Sequence, residues 1–229
     1  MGSTTPSEEE TLPYWQINVP PSLRTPICPP FLLNINTKDY GIISTPDSLY
    51  QIESWPTVQS KIAQNRLDLF QRKPSDLRRY LEFTYNLKQE WGSVMNFILS
   101  QRLKWELPIV PQGNPFESKY EKEDIRILRN DWPYGIDERI VHLVVWTKFE
   151  LVDDERTGDL TDEARREIDE WVGKKFGERV GRDNVIWFKN WASLKSVKSV
   201  EHFHIMLFDP DPKFVEEVTN GDVPLCETS

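Results

Sequence analysis

Cysteine is scarce in this chain of 229 residues, which has two cysteines, Cys28 in a proline-rich segment and Cys226 near its end. Such a pair argues against a disulfide framework and against a cysteine-based metal centre, and it favours a reducing cytoplasm. Apolar runs long enough for a membrane span are missing as well, so we predict no membrane partner. The first residues also lack the basic start and the apolar stretch of a signal peptide.

Positive charge is in deficit, since the net charge is −9 and the isoelectric point is near 5.0. This balance argues against a broad electrostatic surface for nucleic acid, although it leaves room for a local basic strip. Hydrophobic residues make up 38% of the chain and aromatic residues 12%, enough for a substantial core or an aromatic-walled pocket. No feature of the sequence indicates a stable protein partner.

The order of polar, proline-rich and apolar segments predicts an α+β fold, with an antiparallel sheet and packed helices. Prolines crowd residues 14–56, where we expect loops and short turns within a helical N-terminal half. The predicted divisions are a disordered tail at 1–12, a single domain at 13–215 with a mainly helical part at 13–107 and a sheet part at 125–212, and a C-terminal tail at 216–229.

Three helices are predicted from apolar periodicity and from their end signals. The first runs through 58–70. The second begins at Pro74-Ser75-Asp76, where Ser75 can cap it, and its apolar stripe continues past Gly92 to Ile98. The third is capped by Thr161 and ends at Gly177, because glycine favours helix ends.

All three histidines fall on two apolar stretches predicted as strands, 140–146 and 200–208. A strand repeats every two residues, so His202 and His204 point to one face, which on a buried strand is expected to be apolar. Imidazole titrates near neutrality, so this pair and His142 indicate proton transfer, nucleophilic attack or metal binding. We assign no metal ligands, although zinc at the pair stays open. Hydrogen-bonded histidines with a purely structural role are the alternative.

An acidic stretch follows the first histidine strand and includes Asp153, Asp154 and Glu155. Clustered carboxylates suit a guanidinium, an amine or a divalent metal. A solvated loop before a capped helix is the alternative.

A basic strip precedes and enters the second predicted helix. It comprises Arg72, Lys73, Arg78 and Arg79. Such a strip can track a phosphate backbone, and an ordinary charged surface is the alternative.

The C-terminal half resembles the histidine-triad superfamily of nucleotide hydrolases and transferases. The resemblance lies in a histidine strand, a helix, a strand that ends at Asn190, and then the run from His202 to Met206. It implies that His204 attacks a phosphate ester. Met206 stands at the third position of the triad, and a methionine cannot donate a hydrogen bond to phosphate.

Three further stretches, 70–80, 130–136 and 199–207, resemble the fungal N-acetylglucosamine-induced protein family. The same sequence type is similar to fungal arginine-containing cyclodipeptide synthases, which join arginine to a second amino acid using aminoacyl-tRNAs. An Asp-Asp-x-x-Glu motif of those synthases is similar to the run from Asp153 to Thr157, with Thr157 in the final place.

This resemblance implies a transferase of fungal secondary metabolism that uses aminoacyl-tRNAs, including arginyl-tRNA, and needs no cofactor because the ester carries the activation. The alternatives are a histidine-triad-like phosphoester hydrolase or transferase and a non-catalytic N-acetylglucosamine-responsive protein. The implied roles are catalysis for His202, His204, Asp153 and Asp154, substrate binding for Glu155, His142, Trp146 and Asn190, and tRNA binding for Arg72, Lys73, Arg78 and Arg79.

Overall fold

The structure is a computed structural model that describes residues 12–154, 156–190 and 200–228. Nearly all of the predicted N-terminal tail and the predicted substrate ligand Glu155 therefore lie outside the described residues.

Helices surround a single sheet, and short 3-10 turns occupy much of the proline-rich N-terminal part. The α-helices are α1 (Thr37–Ile43), α2 (Trp55–Ala63), α3 (Pro74–Trp91), α4 (Val94–Phe97), α5 (Glu121–Asp124), α6 (Asp162–Val172), α7 (Glu178–Val180), α8 (Pro212–Thr219) and α9 (Leu225–Thr228). Two π-helical segments, Ile98–Leu103 and Gly173–Gly177, continue α4 and α6. Within the described ranges, no helix combines the length and the apolar character needed to cross a membrane.

The sheet has four strands, which are β1 (Ile125–Arg129), β2 (Ile140–Thr147), β3 (Val185–Phe188) and β4 (Glu201–Phe208). Their spatial order is β1-β2-β4-β3, and every neighbouring pair is antiparallel. The predicted α+β class with an antiparallel sheet is confirmed.

One face of the sheet is largely apolar. Because side chains alternate along a strand, Phe203 and Ile205 of β4 share this face with their β2 partners Val145 and Leu143. They form one cluster with Ile168 of α6 and with Phe214 and Val215 of α8. This cluster anchors the strands that carry the histidines.

The opposite face carries the histidines. The register pairs His202 with Trp146, His204 with Val144 and Met206 with His142, so all three imidazoles project to the same side. The prediction that His202 and His204 share a face is therefore confirmed, and the register adds His142 to them. The N-terminal half covers this side of the sheet, through α2 and through the π-helical segment Ile98–Leu103.

The predicted helix boundaries in the N-terminal half needed correction. The first helix is α2, which starts at Trp55 and is over before Asn65, whose φ of +52° breaks the helical path. Helix α3 begins at Pro74 as predicted, but Ser75 is not its cap, because proline occupies the first helical position and Lys73 precedes it as the capping residue. Gly92, with φ of +71°, ends α3, so the stripe to Ile98 belongs to two helices.

The predicted helix end at Gly177 was also wrong. The chain continues through the π-helical segment Gly173–Gly177 into α7. It turns away at Gly181, where φ is +93°, a value that non-glycine residues rarely adopt. Thr161 caps the start of α6 as predicted, since its side chain accepts a hydrogen bond from the Ala164 N–H.

The C-terminal segment that we expected to be a tail from residue 216 is packed against the sheet. Asp222 makes a two-pronged ion pair with Arg102 at 2.8 and 2.9 Å and accepts a hydrogen bond from the Arg129 N–H. Leu225 and Cys226 donate backbone hydrogen bonds to Asp131. These bonds hold α9 in place.

Candidate functional site

A pocket of about 200 Å³ lies between the histidine face of the sheet and the helices α3 and α4. Its wall combines aromatic and aliphatic side chains with an equal share of polar residues, so it offers both apolar surface and hydrogen-bonding groups to a ligand. The polar residues that line it are Arg72, Tyr80, Thr84, Arg129, Asn130, Asp131, Tyr134, Asn190, His202 and His204.

Two of the histidines form a buried hydrogen-bonded chain. His142 Nε2 lies 3.0 Å from His204 Nδ1, and His204 Nε2 lies 3.0 Å from the Asn190 side-chain nitrogen. The His204 ring also stacks on Phe188 with an interplanar angle of 11°. Both nitrogens of His204 are therefore occupied, which makes this imidazole a fixed link in the chain.

The amide of Asn130 covers the other end of this chain. Its Oδ1 accepts a hydrogen bond from the Trp132 N–H at 2.9 Å, which fixes the amide with its nitrogen towards His142. That nitrogen lies 3.3 and 3.2 Å from the two ring nitrogens of His142. Nearly equal distances of this size require a position over the ring face, because an in-plane atom would overlap the ring carbons. The amide therefore shields one face of His142.

Burial keeps these two imidazoles neutral. Desolvation lowers the pKa of His142 from 6.5 to about 3, and the positive charge of Arg72 acts in the same direction. Desolvation likewise places the pKa of His204 well below its usual value, with further contributions from His142 and His202. Near neutral pH both rings are therefore uncharged, and hydrogen bonds alone connect His142, His204 and Asn190.

His202 is held in a different way. Its Nδ1 lies 2.9 Å from the Val200 carbonyl oxygen, which can only accept, so Nδ1 carries the proton. The neutral ring then has its lone pair on Nε2, the form that a general base or a nucleophile requires. The ring packs against Trp146, with centroids 4.5 Å apart. Both His202 and Trp146 line the pocket.

Arg72 is the member of the basic strip that reaches the pocket. Its Nε donates to the Trp132 carbonyl oxygen at 2.9 Å, and its guanidinium carbon lies 4.0 Å from the centre of the Tyr80 ring. Tyr134 flanks it at 5.8 Å. Across the residues that the structure describes, no carboxylate forms an ion pair with Arg72.

The other members of the basic strip are engaged within the fold. Lys73 pairs with Asp47 at 3.0 Å, and Arg78 donates to the Trp15 carbonyl oxygen at 2.8 Å. Arg79 donates to the Cys226 carbonyl oxygen at 2.6 Å. These three predicted tRNA contacts lie outside the lining of the pocket.

The structure separates the acidic stretch from the histidines. Asp153 is 47% exposed and pairs with Lys189 at 2.7 Å, and Lys189 pairs with Glu201 as well. Glu201 precedes His202 and so lies on the opposite face of the sheet. Asp154 pairs with Arg156 at 2.8 Å. Neither aspartate lines the histidine pocket.

Sequence reasoning did not single out Asn130, Asp131 and Tyr134 as site residues, although all three line the pocket. Their signal was present, since they fall in the stretch 130–136 that carried the family resemblance. Asp131 forms a 2.8 Å ion pair with Arg102, and burial raises its pKa. Within the described ranges, no group of three or more His, Cys, Asp or Glu side chains is arranged to hold a metal ion.

Residues 54–208 match the family described as Protein of unknown function (DUF3605). The chain belongs to this family. The match includes all four strands of the sheet, the three histidines and Arg72.

Two curated fungal relatives extend the comparison. N-acetylglucosamine-induced protein 1 of Candida albicans is 30% identical over 185 residues, which cover 73% of this chain and 73% of that protein. The uncharacterized protein YPL067C of Saccharomyces cerevisiae is 25% identical over 166 residues, or 71% of this chain and 82% of the relative. The predicted N-acetylglucosamine-induced family is thereby confirmed.

A solved structure shares the fold. The crystal structure of HTC1 aligns with a TM-score of 0.56 and 20% identity, covering 75% of this chain and 98% of that one. At this level of identity the likeness extends to the fold alone.

Proposed function

We propose that the pocket is an acyl-transfer site, and that the reaction is the aminoacyl-tRNA-dependent synthesis of an arginine-containing cyclodipeptide in the fungal cytoplasm. The observation that carries this proposal is His202. Its Nδ1 faces the Val200 carbonyl oxygen at 2.9 Å, so its Nε2 has the lone pair, and the residue lines the pocket. Acyl transfer to an amine needs such a base.

The proposed chemistry balances without an added energy source. The amine of one aminoacyl group attacks the ester carbonyl of the other, and His202 Nε2 removes a proton from the attacking nitrogen. The ester C–O bond breaks, and the proton passes to the departing ribose oxygen of the tRNA. A second, intramolecular attack on the remaining ester closes the ring and releases the other tRNA. Two ester bonds are exchanged for two amide bonds.

The dimensions and walls of the pocket support an amino-acid-sized group. Its volume of about 200 Å³ lies below the usual range for drug-sized ligands, roughly 300 to 1,000 Å³. Phe83, Phe97 and Trp146 contribute aromatic surface. Apolar surface of this kind can pack against the side chain of an aminoacyl group. In this proposal, the hydrogen-bonded residues His142, His204 and Asn190 form a rigid support on the sheet side of the pocket.

The test is expression of the full chain in a host that lacks other peptide synthetases, with mass spectrometry of the extract for arginine diketopiperazines. Product is expected from the wild type and is expected to be lost in His202→Ala. Asp68→Asn is the matched control, because Asp68 lies outside the pocket and its side chain is 43% exposed. Circular dichroism confirms that each variant folds. Purified protein supplied with arginyl-tRNA and other aminoacyl-tRNAs gives the same comparison without the host.

A phosphoester hydrolase or nucleotidyl transferase is the second candidate, and a specific observation favours it. Arg72, which has no carboxylate partner among the described residues, lines the same pocket as His202, as a phosphate site requires. We assign the nucleophile to His202 in place of the predicted His204, because the Val200 carbonyl oxygen fixes the lone pair of His202 on Nε2. This function predicts a nucleotidyl-histidine adduct that His202→Ala abolishes.

Two negative results would support the non-catalytic alternative. If folded wild-type protein gives neither the cyclodipeptide nor the adduct, the histidines act as structural groups of an N-acetylglucosamine-responsive protein. In that case His204→Ala lowers the unfolding free energy and removes no measurable activity.

A further inference from the structure

Arg72 stands apart from the charged residues around it. Among its charged neighbours, Lys73 pairs with Asp47, and Arg102 pairs with both Asp131 and Asp222. Within the described ranges, the one hydrogen bond of Arg72 runs from Nε to the Trp132 carbonyl oxygen. Its two terminal guanidinium nitrogens thus have no protein acceptor there.

No anionic side chain of the described residues pairs with this cation. Arg72 is half-buried, and it lines the cavity together with His202 and His204. The carboxylate in the lining, Asp131, is already paired with Arg102 at 2.8 Å. A ligand anion in the pocket would therefore find Arg72 without a competing carboxylate among the described residues.

The guanidinium is nevertheless held in one orientation. The Trp132 carbonyl oxygen fixes its Nε edge, and the Tyr80 ring lies 4.0 Å from its central carbon. With that edge occupied, the pair of terminal nitrogens presents an end-on fork. Such a fork binds two oxygens of one carboxylate or phosphate group, and a preorganised fork loses little entropy on binding.

The neighbouring imidazoles of His142 and His204 do not supply a positive charge of their own to the pocket. Burial keeps the pKa of His142 at about 3, so His142 is neutral near pH 7. The positive charge of Arg72 contributes to lowering the pKa of both His142 and His204. An anion bound at Arg72 would screen that charge, and the two imidazoles would then become easier to protonate.

We propose that Arg72 forms an oxyanion-binding subsite of the pocket, in which its two terminal nitrogens bind the oxygens of a ligand's phosphate or carboxylate group. The subsite deepens the proposed function and rests on it for the ligand, where the oxyanion is either the phosphodiester beside the terminal nucleoside of aminoacyl-tRNA or a carboxylate of a small substrate. The subsite itself is testable without any reaction.

The test titrates the full-length protein with inorganic phosphate in one arm and with acetate in the other, at constant ionic strength. Tryptophan fluorescence reports binding, because Trp132 and Trp146 line the pocket. Saturable binding is expected in at least one arm, and the arm that saturates at lower concentration identifies the source of the oxyanion. Arg72→Gln is expected to weaken binding by about tenfold or more, since it removes a charged hydrogen-bond donor pair. Arg72→Lys keeps the charge and loses the fork. Its affinity for the anion is expected to lie between those of the wild type and Arg72→Gln.

Arg66→Gln is the matched control, because it makes the same substitution at an exposed arginine that pairs with Asp68 outside the pocket. It should bind as the wild type does. The absence of saturable binding in both arms, or equal binding by wild type and folded Arg72→Gln, would overturn the subsite. Anion binding without a cyclodipeptide would instead overturn the proposed function alone. A cyclodipeptide made by Arg72→Gln with an unchanged KM for aminoacyl-tRNA would count against the subsite alone.

Discussion

Acidification should destabilise this fold through its buried histidines. Desolvation lowers the pKa of His142 from 6.5 to about 3, so the folded chain keeps this ring neutral where the unfolded chain binds a proton. Protons therefore favour the unfolded state between these two values, and the stability is fully present only above the unfolded pKa. His204 acts in the same direction, because its pKa is lowered as well.

The magnitude follows from linkage. Each pH unit below an unfolded pKa of roughly 6.5 withdraws ~1.4 kcal/mol per buried neutral histidine. At about pH 5 the cost from His142 alone is then ~2 kcal/mol, a large fraction of a typical unfolding free energy of about 5 to 15 kcal/mol. Histidine dominates proton uptake in this range, since most carboxylates titrate lower.

Urea denaturation at about pH 7.5 and about pH 5 measures this difference. The control is His142→Gln, which cannot titrate. Its absolute stability is expected to be lower, but its slope against pH should be shallower than that of the wild type by ~1.4 kcal/mol per unit. Equal slopes for the two proteins would refute the assignment of His142 as a buried neutral imidazole, as would an NMR titration of this ring near its ordinary pKa.

Three further variants test the packing around the site by urea denaturation. Asp222→Asn should cost about 2 to 4 kcal/mol, since it leaves the buried Arg102 with a weakened partner; an unchanged midpoint would contradict the role of the C-terminal segment. Gly135→Ala should cost about 1 to 3 kcal/mol, because its Cβ would lie 2.3 Å from the Tyr50 hydroxyl, and Tyr50→Phe should relieve part of that loss. Ile168→Ala, at a fully buried position, should cost about 2 to 5 kcal/mol, and a smaller loss would indicate a loosely packed apolar face.

The strands that hold the histidines were predictable because their apolar alternation is local. Because side chains alternate along a strand, a separation of two residues places His202 and His204 on one face, independently of the rest of the fold. Strand β1 carried no such signal, since it is five residues long and gains its order from pairing with β2. Helix ends were harder still, because positive φ angles at Asn65 and Gly92 decide them.

The residues that join the histidines around the pocket were less predictable than the histidine strands themselves. Arg72 and Trp132 are 60 residues apart in sequence, and only the packing of α3 against the sheet joins them. Sequence proximity was misleading for Asp153, which closely follows β2 in the chain. Asp153 pairs with Lys189, which also pairs with Glu201. The alternation of the sheet places Glu201 on the face opposite His202, so these carboxylates lie away from the imidazoles.

The packed C-terminal segment provides a site beside the pocket where a fluorescent dye can be attached. Cys28 and Cys226 are both free thiols, and Cys226 directly follows Leu225, which lines the pocket. A Cys28→Ser variant would leave a single thiol for a maleimide dye, and serine can keep the hydrogen bond with Tyr14. Burial raises the pKa of Cys226, so labelling should proceed faster at alkaline pH. A dye at this thiol would register ligand occupancy in real time, independently of any catalytic turnover.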